Sequence, residues 1–284
     1  MRRFMVMAVA MVALSTMVAC AGKLGVGKCI KAERNVSAKE LSLGAFNAVD
    51  VSGRLEVKVS QGVASPVKVT GPSNLLEYVV GEVKEGTLYL SVKDGVCFDY
   101  PDKCPEIEIA VSMPDVTGVT VSGQSEVEFV TAVHTNGRLT VNASGQSDVD
   151  FKQPVTAQAL AVTVRGQSDF DMAGCRTDIL NVDVAGQSDC DLKGRCDAKD
   201  VKLSISGQSD TDCGDISCSM LSISTSGQSD FKCNGEINAD RAELGASGQS
   251  DIKLSHGTIK SISSRSTGQS DISLGKVNAQ YPNE

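Results

Sequence analysis

Short runs of alternating apolar and polar residues recur along the second half of the chain at a nearly fixed interval. Each repeat centres on Gly-Gln-Ser, and on its N-terminal side the apolar residues fall six, four and two positions before the Gly. Leu139/Val141/Ala143, Leu160/Val162/Val164, Leu180/Val182/Val184 and Val201/Leu203/Ile205 are examples. On the C-terminal side come an apolar, a polar and an apolar residue: Val149-Asp150-Phe151, Phe170-Asp171-Met172, Cys190-Asp191-Leu192, Ile252-Lys253-Leu254. A period of two on both sides predicts two half-buried strands. The Gly between them marks a bend with positive φ. No helical period of useful length fits between the repeats. Gly174–Ile179 and Gly194–Asp200 read as turn-rich connectors able to add a short third strand.

The glycines stand at Gly123, Gly145, Gly166, Gly186, Gly207, Gly227, Gly248 and Gly268, at intervals of 22, 21, 20, 21, 20, 21 and 20 residues. One such unit has two faces and a corner and cannot bury its apolar side alone. Stacking units solves this, since strand then pairs with strand about 4.8 Å away and like positions form ladders. The predicted fold is therefore all-β: a right-handed parallel β-helix, or β-solenoid, of about 21 residues per coil, the hand following from the crossover rule. Regular repeats run from about 116 to 275. Phe46–Met113 also alternates, at Val49–Val59, Val67–Val69, Leu88–Val92 and Ile107–Val111, but without the repeat. Ser52-Gly53-Arg54-Leu55-Glu56 resembles a decayed copy of it. This section reads as the first coils plus an irregular N-terminal cap, because a bare solenoid end offers free strand edges for aggregation. Asn74–Gly86 has room for one short helix or turn. The solenoid head is thus expected over 45–284.

The chain's start follows a different pattern. Met1-Arg2-Arg3 precedes an apolar run from Phe4 to Val18, too short to span a bilayer as a helix but suited to a signal-peptide core. It ends in Met17-Val18-Ala19-Cys20, which looks like a bacterial lipobox. That resemblance implies a signal peptide over 1–19 and a lipidated Cys20 as the mature N-terminus, holding the protein on a membrane. The alternative is an ordinary secretory signal cleaved near Ala19, with Cys20 free. Residues 20–44, with few large apolar side chains, read as a tether.

Composition then narrows the function. The 284 residues carry 27 Lys+Arg against 35 Asp+Glu, for a net charge of −8. An acidic chain without a basic cluster argues against nucleic acid as a partner. There is no Trp, with only seven Phe and four Tyr, so platforms for stacking bases or sugars are scarce. The two histidines, His134 and His256, lie in connectors of distant repeats and leave little for triad chemistry.

Strand parity turns the pentad Ser (Ser147, Ser168, Ser188) inward and the following Asp outward. Inward Ser stacked on Ser, and Gln amides bonded along the rod, would staple the corner. The Asp column (Asp148, Asp169, Asp189, Asp210, Asp230, Asp251, Asp271) implies neighbour repulsions of roughly 0.9 kcal/mol each in bulk dielectric. Backbone N–H groups, Ser or Gln donors or bound cations could offset these. A second outward column runs Glu128, Asp150, Asp171, Asp191, Asp212, Lys232, Lys253, Ser273. Asp148, Asp150, Asp169, Asp171, Asp189, Asp191, Asp210 and Asp212 are accordingly candidate Ca²⁺ ligands, although no cofactor is required by the pattern. Among the ten cysteines, Cys97 and Cys104 flank the loop Phe98–Lys103 and form the candidate disulfide. Cys175/Cys196 and Cys213/Cys233 fall at equivalent positions of adjacent coils. A spacing of about 4.8 Å would permit a disulfide, although parallel in-register strands rarely orient Cβ well for one, and the favoured reading is small buried hydrophobes. No Cys-x-x-Cys occurs.

The lipobox, the Phe46–Val59 opening, Asn74-Leu75-Leu76, Gly86-Thr87-Leu88 and the serial Ser-Gly-x-Ser-Asp units together resemble the head GIN domain family of auto-transporter adhesins, common as lipoproteins in Bacteroidota. The resemblance spans roughly Phe46 to Lys276. It implies an all-β solenoid head, a cell-envelope location, no catalytic activity and an adhesive role. The expectation is a non-enzymatic lipoprotein, lipid-anchored in the outer membrane, facing either the periplasm or the surface. Its partners would be the membrane, through the anchor, and a protein or glycan ligand. The alternatives are a self-associating structural element of the envelope and a polysaccharide-acting β-helix enzyme. Near-identical repeats weigh against the last, because they offer no unique constellation of residues.

Overall fold

The computed structural model describes residues 28–281, so Cys20 and the segment 1–19 lie outside the described residues. As the alternation predicts, the protein is a β-solenoid of about eight turns of roughly 21 residues, its strands stacked in parallel. Each regular coil has three walls. The first ends at the corner glycine, as in Arg138–Gly145 and Ala159–Gly166; the second follows the pentad, as in Asp148–Phe151 and Asp169–Met172. The third is short, as in Val155–Thr156. From the next coil on it runs without a break into the first wall, giving the 12-residue strands Cys175–Gly186, Cys196–Gly207 and Ile216–Gly227. The segments read as connectors with room for a short third strand do form that strand, from Cys175 and from Cys196 onward.

Register is like on like. Gly145, Gly166, Gly186, Gly207, Gly227, Gly248 and Gly268 are successive partners. So are Leu139, Leu160, Leu180, Val201 and Leu221 inside the first wall. Phe129 stacks flat on Phe151, with centroids 4.3 Å apart. These files form the core, and each fully buried aliphatic or aromatic side chain stabilises it by about 1.5–3 kcal/mol.

The N-terminal part is built otherwise. Its strands are β1 (Lys28–Lys31), β2 (Val36–Leu41), β3 (Ala48–Val51), β4 (Glu56–Gln61), β5 (Val67–Pro72), β6 (Val79–Lys84), β7 (Thr87–Val92), β8 (Val96–Asp99) and β9 (Glu108–Met113). Among the described residues the one short helix, within Asn74–Gly86 as expected, is a 3-10 turn over Leu76–Tyr78. β3 and β4 are the first rung. Gly118–Val121 and Glu126–Phe129 stack on one side of it, β7 and β9 on the other. The chain thus leaves the stack after β4, builds the cap below the first rung, and returns on top. In the cap β5 pairs antiparallel with β2 and β9, and β6 with β7. The direction of pairing reverses there, so the parallel ladder cannot continue past the cap.

Two expectations are corrected. Residues 20–44 are not all tether, since β1 and β2 lie within them. β2 carries few apolar residues because it only edges β5, and β1 is fixed by a bond between distant residues. That bond is the second correction: Cys97 is joined to Cys29, not to Cys104, across the in-register parallel pair β1–β8. Cys104 keeps its thiol, which donates to the Glu33 carbonyl at 3.4 Å.

Candidate binding surface

The corner is the most repetitive exposed feature. At Gly186 φ is +106°, and a Cβ there would lie 2.5 Å from the Gly166 carbonyl oxygen. The Gln187 N–H donates to that same oxygen at 2.7 Å, and the bond requires the close approach. The decayed copy joins the same edge: Gly53 has φ +103°, and its carbonyl accepts the Gln124 N–H at 2.8 Å.

Outside this bend the glutamines form an unbroken one-way ladder. Each amide nitrogen donates to the next amide oxygen from Gln124 through Gln146, Gln167, Gln187, Gln208, Gln228 and Gln249 to Gln269, at 2.8–3.1 Å. Inside it the pentad serines from Ser125 to Ser250 are buried, and only the last, Ser270, is half-exposed. Ser147 Oγ donates to the Ser144 carbonyl at 3.0 Å, and the Ser147 N–H meets Ser168 Oγ at 3.3 Å. Both ladders were expected from parity.

The carboxylates face outward in the two expected columns. Two devices offset their repulsion. One is backbone: the Asp251 N–H donates to Asp230 Oδ1 at 3.1 Å, and the Asp271 N–H to Asp251 Oδ1 at 3.1 Å. The other is lysine. Lys152 pairs with Asp150, Lys193 with Asp171 at 2.7 Å, and Lys253 with Asp251 at 2.9 Å. Sequence reading missed Lys152 and Lys193: both stand seven residues after a corner glycine, but no other coil carries a lysine there. The offset is incomplete in the middle rungs. Partial burial, then the charges of neighbouring carboxylates, raises the pKa of Glu126, Asp148, Asp189 and Asp191. Farther along, the Lys253 ammonium lowers that of Asp251.

The eight Ca²⁺ candidates stand in files and do not converge. Among the described residues no group of three or more His, Cys, Asp or Glu is placed to hold a metal ion. His134 and His256 are exposed and lie on different rungs. An apolar hollow of about 330 Å³ lies elsewhere, in the cap, lined by Leu41, Leu43, Phe46, Val67 and Met113 among others.

A capped solenoid carrying polar files along one corner defines a class of elongated repeat protein with a uniform surface. The chain belongs to the family described as putative auto-transporter adhesin, head GIN domain, whose model matches residues 45–216 and again 216–281. Solved structures share the fold. A putative adhesin from Parabacteroides merdae aligns at TM-score 0.70 and 18% identity, over 88% of this chain and 98% of that one. A putative adhesin from Bacteroides fragilis aligns at 0.52 and 17%, over 88% and 100%. A putative lipid binding protein from Parabacteroides distasonis aligns at 0.52 and 17%, over 89% and 100%. No curated protein sequence matches the chain.

Proposed function

We propose that this protein is a non-enzymatic lipoprotein of the cell envelope, anchored in the outer membrane through Cys20, whose solenoid head binds a protein or glycan ligand as an adhesin does. The observation that carries the reading is the corner edge, where eight glutamines and their flanking carboxylates repeat in register on one exposed line. Such an edge has no unique pocket; it offers many equal weak contacts, and avidity then replaces a single deep site. Family membership supports the same reading.

Protease shaving of intact cells tests it. The head should be released from whole cells, and purified head should bind cells or matrix less well once Gln146, Gln167, Gln187 and Gln208 are all replaced by Ala. A head cut only after lysis would argue for a scaffold facing the periplasm. Release of reducing ends from polyuronides would argue for an enzyme.

The hollow in the cap favours a second reading, capture of an apolar ligand such as an acyl chain, and the Parabacteroides distasonis neighbour is named a putative lipid binding protein. Displacement of a fluorescent fatty acid, abolished by Leu43→Glu, would support it.

A further inference from the structure

Five cysteines, Cys175, Cys190, Cys196, Cys213 and Cys233, are buried thiols inside adjacent rungs. Cys175 and Cys196 are in-register partners on parallel strands, 4% and 0% exposed, with both side chains turned into the lumen. Parallel neighbours stand about 4.8 Å apart, inside the Cα separation a disulfide accepts, and residues in register point to the same face. The protein already contains this geometry in oxidised form. Cys29 and Cys97 are also in-register partners on parallel strands, bridged at a Cα separation of 4.4 Å. That bridge also implies a compartment in which thiols are oxidised.

We propose that Cys175 and Cys196 form a second disulfide in the mature protein, riveting two rungs in the middle of the stack. The oxidant is a disulfide, either of a protein thiol oxidase or of a small molecule. One cysteine thiolate attacks a sulfur of that disulfide, giving a mixed disulfide and expelling one thiol. The other cysteine then attacks the bound protein sulfur and expels the second thiol. Two cysteine thiols are oxidised, the oxidant's disulfide is reduced to two thiols, and these carry away the two protons. Because both side chains are enclosed once the coils close, the exchange takes place while the rungs are pairing. The thiols interact already: the Cys196 sulfur, then burial, raises the pKa of Cys175, while Cys175 draws that of Cys196 below its usual value.

Cys213 and Cys233 supply an internal control. They too are in register, but the Cys233 thiol is already engaged, donating to the Gly214 carbonyl at 3.0 Å. This pair stays reduced. Cys218 stacks on Ala239 and Cys190 on Thr211, so neither has a partner sulfur in its file.

Mass spectrometry of the full chain, exported, purified without reductant, denatured and blocked with N-ethylmaleimide, tests the assignment. Trypsin places Cys175 in Gly166–Arg176, Cys190 in Thr177–Lys193 and Cys196 in Cys196–Lys199. The expected result is the first peptide linked to the third, with Cys190, Cys213 and Cys233 carrying the maleimide. Maleimide on both Cys175 and Cys196 overturns the proposal, whether or not Cys29 and Cys97 are linked, and so does a Cys213–Cys233 link in its place. A second measurement is melting with and without dithiothreitol. Reductant should lower the Tm of the native chain by several degrees more than that of a C175A/C196A variant; equal shifts would also overturn the proposal.

Discussion

The cap and the stack use similar residues under opposite rules. In the stack the strands lie parallel and almost wholly in register, so the corner positions meet their own kind: Gly on Gly, Gln on Gln, Asp on Asp. In the cap and where it meets the first rung, antiparallel pairs mix with parallel ones and each contact occurs once: a disulfide across β1 and β8, the Arg54 guanidinium over the Tyr100 ring at 5.1 Å, Lys58 between Glu56 and Glu108. Repetition multiplies whatever a position does, gain or fault. A good corner is copied eight times, and so is a carboxylate beside a carboxylate. The cap escapes this by pairing unlike groups, which is also how it ends the ladder.

The sharpest way to test that contrast is to put the same change in both regions. At Gly186 an added methyl meets the Gly166 carbonyl at 2.5 Å in a left-handed backbone, whereas at Gly95, with φ +72°, it meets nothing within 4 Å. Gly95→Ala should cost about 1–2 kcal/mol, the ordinary left-handed penalty. Gly186→Ala adds a backbone clash and the loss of a rung-to-rung hydrogen bond. It should exceed about 4 kcal/mol and leave little folded protein by circular dichroism. Equal losses would mean the corner is not under tension from its neighbours. Next in size is the Cys29–Cys97 bridge. It closes a loop of 68 residues, and its removal by C29S/C97S should cost about 4 kcal/mol by chain entropy. That loss should appear in urea melts as an early transition of the cap while the stack holds.

The same contrast explains what could be read from the chain beforehand. The stack was legible because a periodic sequence states each contact many times. The inward Ser147, the outward Asp148 and the corner at Gly145 all follow from parity once the interval is known. The cap states each contact once, and between distant residues. Nothing near Cys97 points to Cys29, while Cys104 lies seven positions away and is the nearer choice. β2 was hidden for a related reason: an edge strand needs little apolar alternation, and Val36 is in fact exposed. Of the candidate surface, the Gln and Asp files were legible, but not the lysines past the second wall, which occur in too few coils to form a pattern.

A smaller effect separates a repeated serine from an unmatched one. Ser188 Oγ donates to the Ala185 carbonyl at 3.3 Å and accepts from the Ser168 N–H at 3.4 Å. Ser125, the first pentad serine, faces the decayed copy, where Leu55 takes the place of Ser, and its buried hydroxyl has no partner. Ser188→Ala should therefore destabilise by about 1 kcal/mol, and Ser125→Ala should be neutral or stabilising. Thr211, whose buried hydroxyl is likewise unpaired, should gain from Thr211→Val. Chemical denaturation of the three variants checks the ordering, and a stabilising Ser188→Ala would break it.

The smallest effect is electrostatic and runs opposite to ordinary acid denaturation. Glu126, Asp148, Asp189 and Asp191 have pKa values raised by partial burial first and neighbouring charges second. The folded stack therefore holds protons more tightly than the unfolded chain. Its penalty is full when these groups are ionised, and it fades as pH falls from neutral through the raised values toward the ordinary carboxylate range near 4. Asp251 has the opposite sign: Lys253 lowers its pKa, so its contribution is present above that range and is lost only as pH falls through the lowered value. The Tm should thus rise slightly between pH 7 and pH 5 before it falls. D189N/D191N should raise the Tm at pH 7 and flatten that rise, while Asp251→Asn should lower the Tm at pH 7 and leave the rise in place. On the first rung, Lys58 is raised by its bonds to Glu108 and Glu56, a pairing already complete at neutral pH, whereas burial raises the pKa of Asp50, which joins the rise. A Tm that falls steadily from pH 7 to 5 in the native chain would show that the backbone donors along the Asp file outweigh its repulsion, and that repetition there carries no fault at all.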